Sequence, residues 1–392
     1  MPQVTAAPPL AGLLVVALEQ AVAAPFATRQ LADLGARVIK IERPGRGDFA
    51  RDYDSAAGDG MSSWFVWLNR GKQSVVLDLK TGPGRAALDA LLARADVFIC
   101  NLAPDAIGRL GLAAGGLAAR YPRLIACQLS GYGDDGPYAG RKAYDLLVQA
   151  EAGVLAVTGT PGEPAKAGIS VADIAGGMYA YSGILAALLQ RAQTGRGSAV
   201  TLSLFSALTE WMSHPLLAAS LTGRPPARTG ARHASIVPYG AYASADGDEI
   251  LIAVQNEAEW ERLCRGVLDL PALAADPRYA GNSQRVAHRD EVEERLRAAA
   301  AALPTAELLR RLEQARIAYG SVRPVEQVVR HPQLAGRWTG IPAGEREISV
   351  LAPPVHFSGF TPALGPVPRL GEHTAAVLAE FVGGQGGPGP AT

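Results

Sequence analysis

The chain has 392 residues, enough for about two or three domains, and its 37 basic and 37 acidic side chains leave no net charge. This balance excludes a global attraction to nucleic acid or to an anionic membrane, so any bound anion must be held by a local basic site. Three scattered cysteines without a CxxC pair indicate free thiols in a reducing compartment. The N-terminus MPQVTAAPPLAG lacks an early positive charge, and apolar stretches such as residues 10–18 are too short to span a bilayer. We therefore expect a cytoplasmic protein without a signal peptide or a membrane segment.

Short apolar runs alternate with helical segments over residues 13–129. Strands are predicted at residues 13–19, 37–42, 75–79, 97–101 and 123–130, and helices at residues 25–35 and 84–95. Because the strands are rich in Val, Ile and Leu and are separated by helices, they predict an α/β domain with a mostly parallel sheet covered on both faces. In such sheets the ligand lies beyond the carboxyl ends of the strands, so the informative positions are residues 19–24, 43–48, 101–104 and 130–144.

The rest of the chain predicts further helices and a smaller α+β domain. Helical stretches cover residues 171–191 and 202–221, and a linker rich in Gly, Pro and Arg follows at residues 223–238. A hairpin with an Asp-Gly turn at 246–247 comes next, then amphipathic helices at residues 289–303 and 305–316.

The C-terminal part after residue 331 is predicted to be irregular and Pro-rich, ending in a short helix, EHTAAVLAEFV, and a disordered glycine-rich tail. We therefore predict a large domain from residues 1–222 and 331–392 and a small domain from residues 239–330.

Gly131, Gly133 and Gly136 match the G-x-G-x-x-G spacing of dinucleotide-binding loops. That fingerprint requires the glycines to open a helix, whereas Pro137 and Gly140 follow at once and indicate turns. We interpret the segment as a flexible active-site loop or a plain surface turn. The six histidines show no metal-ligand spacing, and neither a G-x-S-x-G elbow nor a P-loop occurs, so we expect no metal site. Carboxylate, lysine, tyrosine and glycine chemistry remains.

Asp173 allows two interpretations. Ser170-x-x-Asp173 has the spacing of a capping box, so Asp173 can simply favour the start of a helix, and spacing alone prefers this view. The position also suits a nucleophile, because a helix N-terminus favours the ionised carboxylate at neutral pH. Gly176 and Gly177, one turn further on, would let a thioester approach the backbone closely. The two interpretations are compatible.

Polar and cationic side chains follow several predicted strands. Arg43 follows the second strand, Lys80 the third, and Arg109 lies in the turn-rich segment after the fourth, while Lys142 and Tyr144 follow the glycine loop. Alone, each is more often a solvated surface group. Together they suit an anionic nucleotide at the carboxyl edge of the sheet.

The chain resembles the class III CoA-transferases, a family that includes formyl-CoA and carnitine CoA-transferases and α-methylacyl-CoA racemases. The segments that carry the resemblance extend over essentially the whole chain in family order: PLAGLLVVALEQAVAAPFATRQLADLGARVIKIERPGRGD, NRGKQSVVLDLKT, ADVFICNLAPDAIGRLGL, LSGYGDDGPYAGRKAYDLLVQAEAG, VADIAGGMYAYSGILAALLQRAQTGRGS and VPRLGEHTAAVL. The resemblance implies a Rossmann-like large domain built from both chain ends, an inserted small domain, and an interlocked, ring-like homodimer. It also implies acyl-CoA and small carboxylic acids as substrates, with no tightly bound cofactor.

By position, the resemblance makes Asp173 the catalytic aspartate, and backbone N–H groups and Gln20 are candidate oxyanion donors. The implied CoA contacts are Ala21, Val22 and Ala23 at the thioester end, Arg43 and Lys80 near the adenine and phosphate end, and Leu77, Asn101, Leu102, Arg109, Lys142 and Tyr144 along the cleft. Formyl-CoA transferases carry a glutamine where Val22 stands, and their run of lid glycines has no counterpart at residues 223–300. Formyl or oxalate specificity is therefore not expected.

The resemblance implies that Asp173 carries first the acyl group and then CoA. Racemases of the family use a histidine where this chain has Tyr144, and without that imidazole one of the two proton carriers is lost, which favours transfer. Basic side chains in the acyl pocket would suit a second carboxylate, so we expect succinyl-CoA or another C4–C5 dicarboxyl-CoA as donor and an acceptor such as mesaconate or citramalate. Carnitine-like, aromatic and bile acids stay open as substrates. The alternatives are an acyl-CoA racemase or isomerase and a non-catalytic acyl-CoA-binding protein.

Overall fold

The computed structural model describes residues 7–58 and 61–383. The first six residues of the N-terminus that was examined for a signal peptide, and residues 384–392 of the tail predicted to be disordered, lie outside this part of the chain.

The described residues form three sheets and a series of helices. The strands are β1 (Leu14–Leu18), β2 (Arg37–Glu42), β3 (Lys72–Val76), β4 (Val97–Cys100), β5 (Ile125–Ser130), β6 (Ala199–Ser203), β7 (Tyr239–Ala243), β8 (Glu249–Ala253), β9 (Ala318–Ser321), β10 (Trp338–Ala343) and β11 (Arg346–Leu351).

The helices are α1 (Ala23–Asp33), α2 (Ser63–Asn69), α3 (Gly82–Leu92), α4 (Pro104–Leu110), α5 (Ala114–Arg120), α6 (Asp145–Glu151), α7 (Val154–Val157), α8 (Val171–Thr194), α9 (Leu204–Trp211), α10 (Ser213–Thr222), α11 (Glu257–Arg262), α12 (Pro271–Ala275), α13 (Asn282–Ala287), α14 (Arg289–Ala301), α15 (Thr305–Gln314), α16 (Val325–Val328) and α17 (Thr374–Phe381).

A six-stranded parallel sheet in the order β3-β2-β1-β4-β5-β6 forms the centre of the larger part of the chain. Every side chain of β1, β4 and β5 is buried, as expected for strands with a helix layer on each face. In the register, Val16 of β1 lies between Ile39 of β2 and Phe98 of β4, and all three contribute to one apolar core. The predicted α/β class with a mostly parallel sheet is confirmed.

Three strands correct the sequence-based assignment. The third strand is Lys72–Val76, earlier than the predicted 75–79, because its polar first half finds buried partners in the folded chain. β6 begins before the stretch predicted to be helical from residue 202. Residues 338–351 form the antiparallel hairpin β10–β11 where irregular chain was predicted, and Ile341 and Val350 anchor it in a small core. Gly340 and Pro342 weaken the strand signal of this hairpin.

The smaller part of the chain contains the antiparallel sheet β7-β8-β9. The predicted hairpin is present, with Gly247 at φ +87° in the turn between β7 and β8. Helices α14 and α15 match their predicted positions and pack Leu296 and Leu308 into a core with Trp260. An α+β arrangement results.

Packing within the chain defines two compact units. The large unit comprises Met1–Val154, Ala167–His214 and Gly336–Thr392, and the small unit comprises Leu155–Lys166 and Pro215–Ala335. The linker predicted at residues 223–238 lies within the small unit. The domain limits proposed from the sequence stay a prediction.

Within the described ranges, α8 is the one helix that is long and apolar enough to cross a membrane by length and composition. It packs along α1 and against α9, β5 and β6. These contacts are those of a core helix of a folded unit.

Candidate active site

A cavity of about 780 Å³ opens at the carboxyl edge of the parallel sheet, within the large unit. Six residues that were assigned from the resemblance line it: Gln20, Arg43, Leu77, Lys80, Leu102 and Arg109. They follow the ends of β1, β2, β3 and β4, which is where an α/β sheet places its ligand. Residues that lie up to 89 positions apart in the sequence, from 20 to 109, therefore line the same cavity.

Two basic side chains of this cavity are held by backbone carbonyl groups. Arg43 donates from Nε to the carbonyl of Gly47 at 2.8 Å, and its guanidinium lies 4.7 Å from the ring centre of Phe49. Arg85, which the sequence did not single out, also lines the cavity and donates to the carbonyl of Leu110 at 3.0 Å. Its only sequence signal is a basic residue in the first turn of the helix that follows Lys80. Such fixed cations suit the phosphates of a nucleotide.

The loop between β1 and α1 is held by two side chains from other strands' ends. The amide of Asn101 accepts from the N–H of Gln20 at 3.0 Å and donates to its carbonyl at 2.9 Å, while Asp48 accepts from the N–H of Ala21 at 2.8 Å. Asn101 thus acts on the loop backbone. Val22 and Ala23 are buried and do not line the cavity, so their assignment to the thioester end stays a prediction.

Asp173 lies in the first turn of α8, but the predicted capping box is wrong. Ser170 makes no side-chain cap hydrogen bond. Instead Asp145 accepts from the N–H groups of Ala172 at 2.8 Å and Asp173 at 3.4 Å. The second oxygen of Asp145 accepts from Nε2 of Gln149 at 2.7 Å. The helix is capped by a residue that lies far upstream in sequence.

The ionisation expected for Asp173 also needs correction. Although its side chain is only half-buried, burial by the surrounding protein and, to a smaller extent, the charge of Asp145 together raise the pKa of Asp173 to about 7. These effects outweigh the helix N-terminus, which was expected to keep the carboxylate fully ionised. Near neutral pH the protonated and ionised forms coexist.

Gly176 and Gly177 serve helix packing, which corrects the thioester-approach prediction. A Cβ at Gly177 would lie 2.6 Å from the carbonyl oxygen of Ala23, and one at Gly176 would lie 2.7 Å from Cδ2 of Leu204. Both glycines are fully covered by protein. The contact of Gly177 brings the second turn of α8, one turn after Asp173, against the first turn of α1 at Ala23.

Tyr53 lies near several of the candidate residues, which the sequence did not predict. Burial raises the pKa of its hydroxyl, and Asp48, Asp173 and Tyr144 raise it further, so these groups lie in its neighbourhood. Its ring makes an edge contact with Trp64 at 6.1 Å. The sequence signal that could have indicated Tyr53 is its position as an aromatic residue shortly after the KIERPGRGD segment.

Lys142 and Tyr144 lie outside the residues that line the cavity. Lys142 is exposed, and Tyr144 is 70% exposed at the position just before α6. Residues 131–140 form bends and turns and open no helix. This agrees with the interpretation of the segment as a loop, since the dinucleotide fingerprint requires a helix there. Within residues 7–58 and 61–383, no group of three or more His, Cys, Asp or Glu side chains is arranged to hold a metal ion.

The comparisons with known proteins agree with one another. Residues 10–374 match the family model described as CoA-transferase family III. The chain is 36% identical to a succinate–glutarate CoA-transferase of Agrobacterium fabrum over 391 residues, covering 95% of this chain and 96% of that protein. It is 38% identical to an acetyl-CoA:oxalate CoA-transferase of Acetobacter aceti over 379 residues, with the same coverage.

The fold is similar to the crystal structure of a CaiB/BaiF family protein from Brucella suis, with a TM-score of 0.84 and 34% identity over 95% of this chain and 99% of that one. Family members act on CoA thioesters, and the match extends over almost the entire chain. The chain therefore belongs to CoA-transferase family III and is an enzyme of the CoA-transferase type.

Proposed function

We propose that this enzyme moves CoA from succinyl-CoA to another short dicarboxylic acid, with Asp173 as the nucleophile. Two observations support Asp173 as the nucleophile: Gly177, one turn further along the same helix, packs on Ala23 next to the loop that borders the cavity, and Asp173 and Asp48 of the cavity lining both act on the pKa of Tyr53. The relatives named for succinate, succinyl-CoA and glutarate support the substrate class. Glutarate is accordingly the first acceptor to test, followed by mesaconate and citramalate.

In the proposed mechanism, an oxygen of ionised Asp173 attacks the thioester carbonyl and expels CoA thiolate, which leaves a mixed anhydride. The thiolate then attacks the Asp173 carbonyl, forms an aspartyl-CoA thioester and releases succinate. The acceptor carboxylate attacks this thioester and expels CoA thiolate, which leaves a second mixed anhydride. The thiolate then attacks the acceptor's acyl carbonyl, forms the new acyl-CoA and releases the carboxylate of Asp173. A carboxylate needs no general base to act as nucleophile. Because the pKa of Asp173 is about 7, a large fraction of this side chain is ionised at neutral pH.

Two backbone N–H groups of the loop between β1 and α1 are unavailable as oxyanion donors, because those of Gln20 and Ala21 already donate to Asn101 and Asp48. We propose that the Gln20 side chain, which lines the cavity, stabilises the oxyanions of the tetrahedral intermediates. The CoA nucleotide would lie along Arg43, Lys80 and Arg109.

The test is incubation with succinyl-CoA and a panel of carboxylic acids, followed by mass analysis of new acyl-CoAs and of the Asp173 peptide. We expect transfer to a C5 dicarboxylate and a CoA adduct on Asp173. Asp173→Asn should lose both and still bind CoA, whereas Asp290→Asn, another first-turn carboxylate, should retain both. Retained transfer in Asp173→Asn would refute the nucleophile. Solvent deuterium entering the α-carbon without acceptor would identify a racemase, and CoA binding without exchange would identify a binding protein.

We also propose a cytoplasmic homodimer that needs no tightly bound cofactor. Helix α10 has no buried residue, and its Leu216, Leu217 and Leu221 are 48%, 59% and 76% exposed, an apolar surface that a second subunit would cover. The free cysteines Cys100, Cys127 and Cys264 suit a reducing compartment. Light scattering should give twice the chain mass, and the dialysed enzyme should keep its activity. A monomeric mass, or activity restored only by an added cofactor, would contradict these proposals.

A further inference from the structure

The backbone at Ala21 adopts a conformation that its neighbours must maintain. Its φ of +61° lies in the left-handed region, which is uncommon for a residue with a Cβ. Such a residue persists only where the surrounding structure holds it in place. Here Asn101 holds the peptide on one side, through Gln20, and Asp48 holds the N–H of Ala21 itself.

Asp48 uses both of its carboxylate oxygens for protein contacts. Oδ1 accepts from the N–H of Ala21 at 2.8 Å and from that of Ala50 at 3.0 Å. Oδ2 pairs with Nζ of Lys40 at 2.7 Å. Asp48 is almost fully buried. It therefore acts on the loop, and it has no free oxygen for a substrate.

Lys40 belongs to a buried group of four charges behind the loop, which comprises Glu19, Lys40, Asp48 and Lys72. Lys40 lies 3.5 Å from Glu19 Oε1, and Lys72 lies 2.7 Å from the same oxygen. The side chains of Lys40, Glu19 and Lys72 are fully buried. Burial lowers the pKa of Lys72 to about 7, so Lys40 is the cation that compensates Asp48, and removal of the charge of Asp48 leaves Lys40 less well compensated in the interior.

The buried charges connect the loop to three strands and a helix. Glu19 follows β1, Lys40 is part of β2, Lys72 begins β3, and Thr28 of α1 donates to Glu19 Oε2 at 2.7 Å. A loop fixed from this many directions has one backbone position. That position borders the cavity and adjoins Ala23, on which α8 packs.

We propose that Asp48, braced by Lys40, is a positioning residue that sets the Gln20–Ala21 peptide for the transfer reaction. This inference rests on the proposed function. Because reacting groups must be held close to one another in a fixed geometry, displacement of the Gln20–Ala21 peptide should slow the chemical steps more than it weakens CoA binding. A purely structural role would instead lower stability and leave kcat unchanged.

The test compares Asp48→Ala and Asp48→Asn with Asp33→Asn. Asn keeps an oxygen for the N–H of Ala21 and loses the charge that pairs with Lys40, whereas Ala loses both. Asp33 is the matched control, because it is a buried carboxylate that pairs with Arg70 at 2.8 Å and with Arg29 at 3.0 Å, away from the loop. We expect kcat to fall about 100-fold in Asp48→Ala and about 10-fold in Asp48→Asn, with KM for succinyl-CoA within about threefold. Asp33→Asn should lose thermal stability and keep kcat.

Amide hydrogen exchange of the peptide that contains residues 19–24 provides a readout that needs no activity. It should accelerate in both Asp48 variants and stay unchanged in Asp33→Asn. Unchanged exchange or unchanged kcat in Asp48→Asn overturns the inference, as does an equal loss of kcat in Asp33→Asn, and Asp48→Asn carries the test if Asp48→Ala does not fold. Failure of the proposed function looks different, because the unmodified enzyme would then transfer CoA to no acid.

Discussion

Asp145 accepts a hydrogen bond from the backbone N–H of Asp173 at 3.4 Å and places a second carboxylate beside its side chain. The same residue therefore caps helix α8 and opposes the ionisation of the proposed nucleophile. The two effects can be separated, because an asparagine at position 145 keeps the accepting oxygen and loses the charge.

The first prediction is a pH profile. Burial and then Asp145 raise the pKa of Asp173 to about 7, and only the ionised form attacks a thioester, so kcat/KM should rise with pH through that region. In Asp145→Asn the rise should occur at lower pH. Asp134→Asn, which exchanges a carboxylate bound to Gln128, should leave the midpoint unchanged. A midpoint that is the same in Asp145→Asn and in the unmodified enzyme would contradict the coupling.

The second prediction concerns stability. The folded-state pKa of Asp173 lies above its ordinary value of 3.8, so the folded state holds the proton more tightly than the unfolded state. This contribution is full at low pH and is lost as pH rises through about 7. Asp173→Asn should therefore be more stable than the unmodified enzyme above pH ~7, by about 1–2 kcal/mol because the side chain is partly accessible, and nearly equal below pH ~4. Urea unfolding across this range measures the difference, and a pH-independent difference would contradict it.

The third prediction concerns the packing of α8 on α1. Gly177→Ala should destabilise the enzyme by about 1–3 kcal/mol, because the added Cβ meets the carbonyl of Ala23 at 2.6 Å. Gly108→Ala is the control, since this glycine of α4 is exposed and a Cβ there meets nothing within 4 Å. It should stabilise the helix by roughly 0.5–1 kcal/mol through helix propensity. Shifts of the thermal unfolding midpoint in opposite directions in the two variants would support the close contact, and equal shifts would argue against it.

The fourth prediction concerns the cations of the cavity. Lys80→Ala should raise KM for succinyl-CoA about tenfold with little change in kcat, because it removes a charge for the nucleotide and leaves the reacting end intact. Arg120→Ala, whose side chain pairs with Asp89 outside the cavity lining, should change neither constant. Steady-state measurements of kcat and of KM for succinyl-CoA check this, and a second, higher salt concentration tests the charge contact because salt screens it. A fall of kcat alone in Lys80→Ala would place the nucleotide elsewhere.

Local sequence signals predicted much of the fold. The runs that became β1, β4 and β5 are apolar throughout most of their length, and burial on both faces of a sheet demands such runs. The Asp-Gly turn of the small unit predicted its hairpin because few residues accept φ above zero.

The misplaced third strand shows where local signals fail. Lys72 and Ser74 of β3 are polar yet buried, since Glu19 and Glu42 from neighbouring strands supply their partners. Those partners exist only once the sheet has formed. A propensity-based view therefore moves the strand to the apolar residues that follow.

The site was predictable in the same uneven way. Resemblance located six residues of the cavity, but the cap of α8 comes from Asp145 instead of the adjacent Ser170. The burial that raises the pKa of Asp173 likewise depends on packing that no spacing records. Arg85 and Tyr53 lack a motif of their own, and only the folded chain brings them to the site.

The outer edge of β3 is covered by the C-terminal segment of the chain. The N–H of Gly71 donates to the carbonyl of Pro366 at 2.8 Å, the N–H of His373 to the carbonyl of Ser74 at 3.0 Å, and the N–H of Val76 to the hydroxyl of Thr374 at 3.0 Å. During synthesis, β3 leaves the ribosome long before these partners are translated, so the nascent chain carries an open strand edge until residues 366–374 have been made. Premature termination upstream of Pro366 would leave that edge permanently available to other chains, and such products are expected to depend on chaperones or to aggregate.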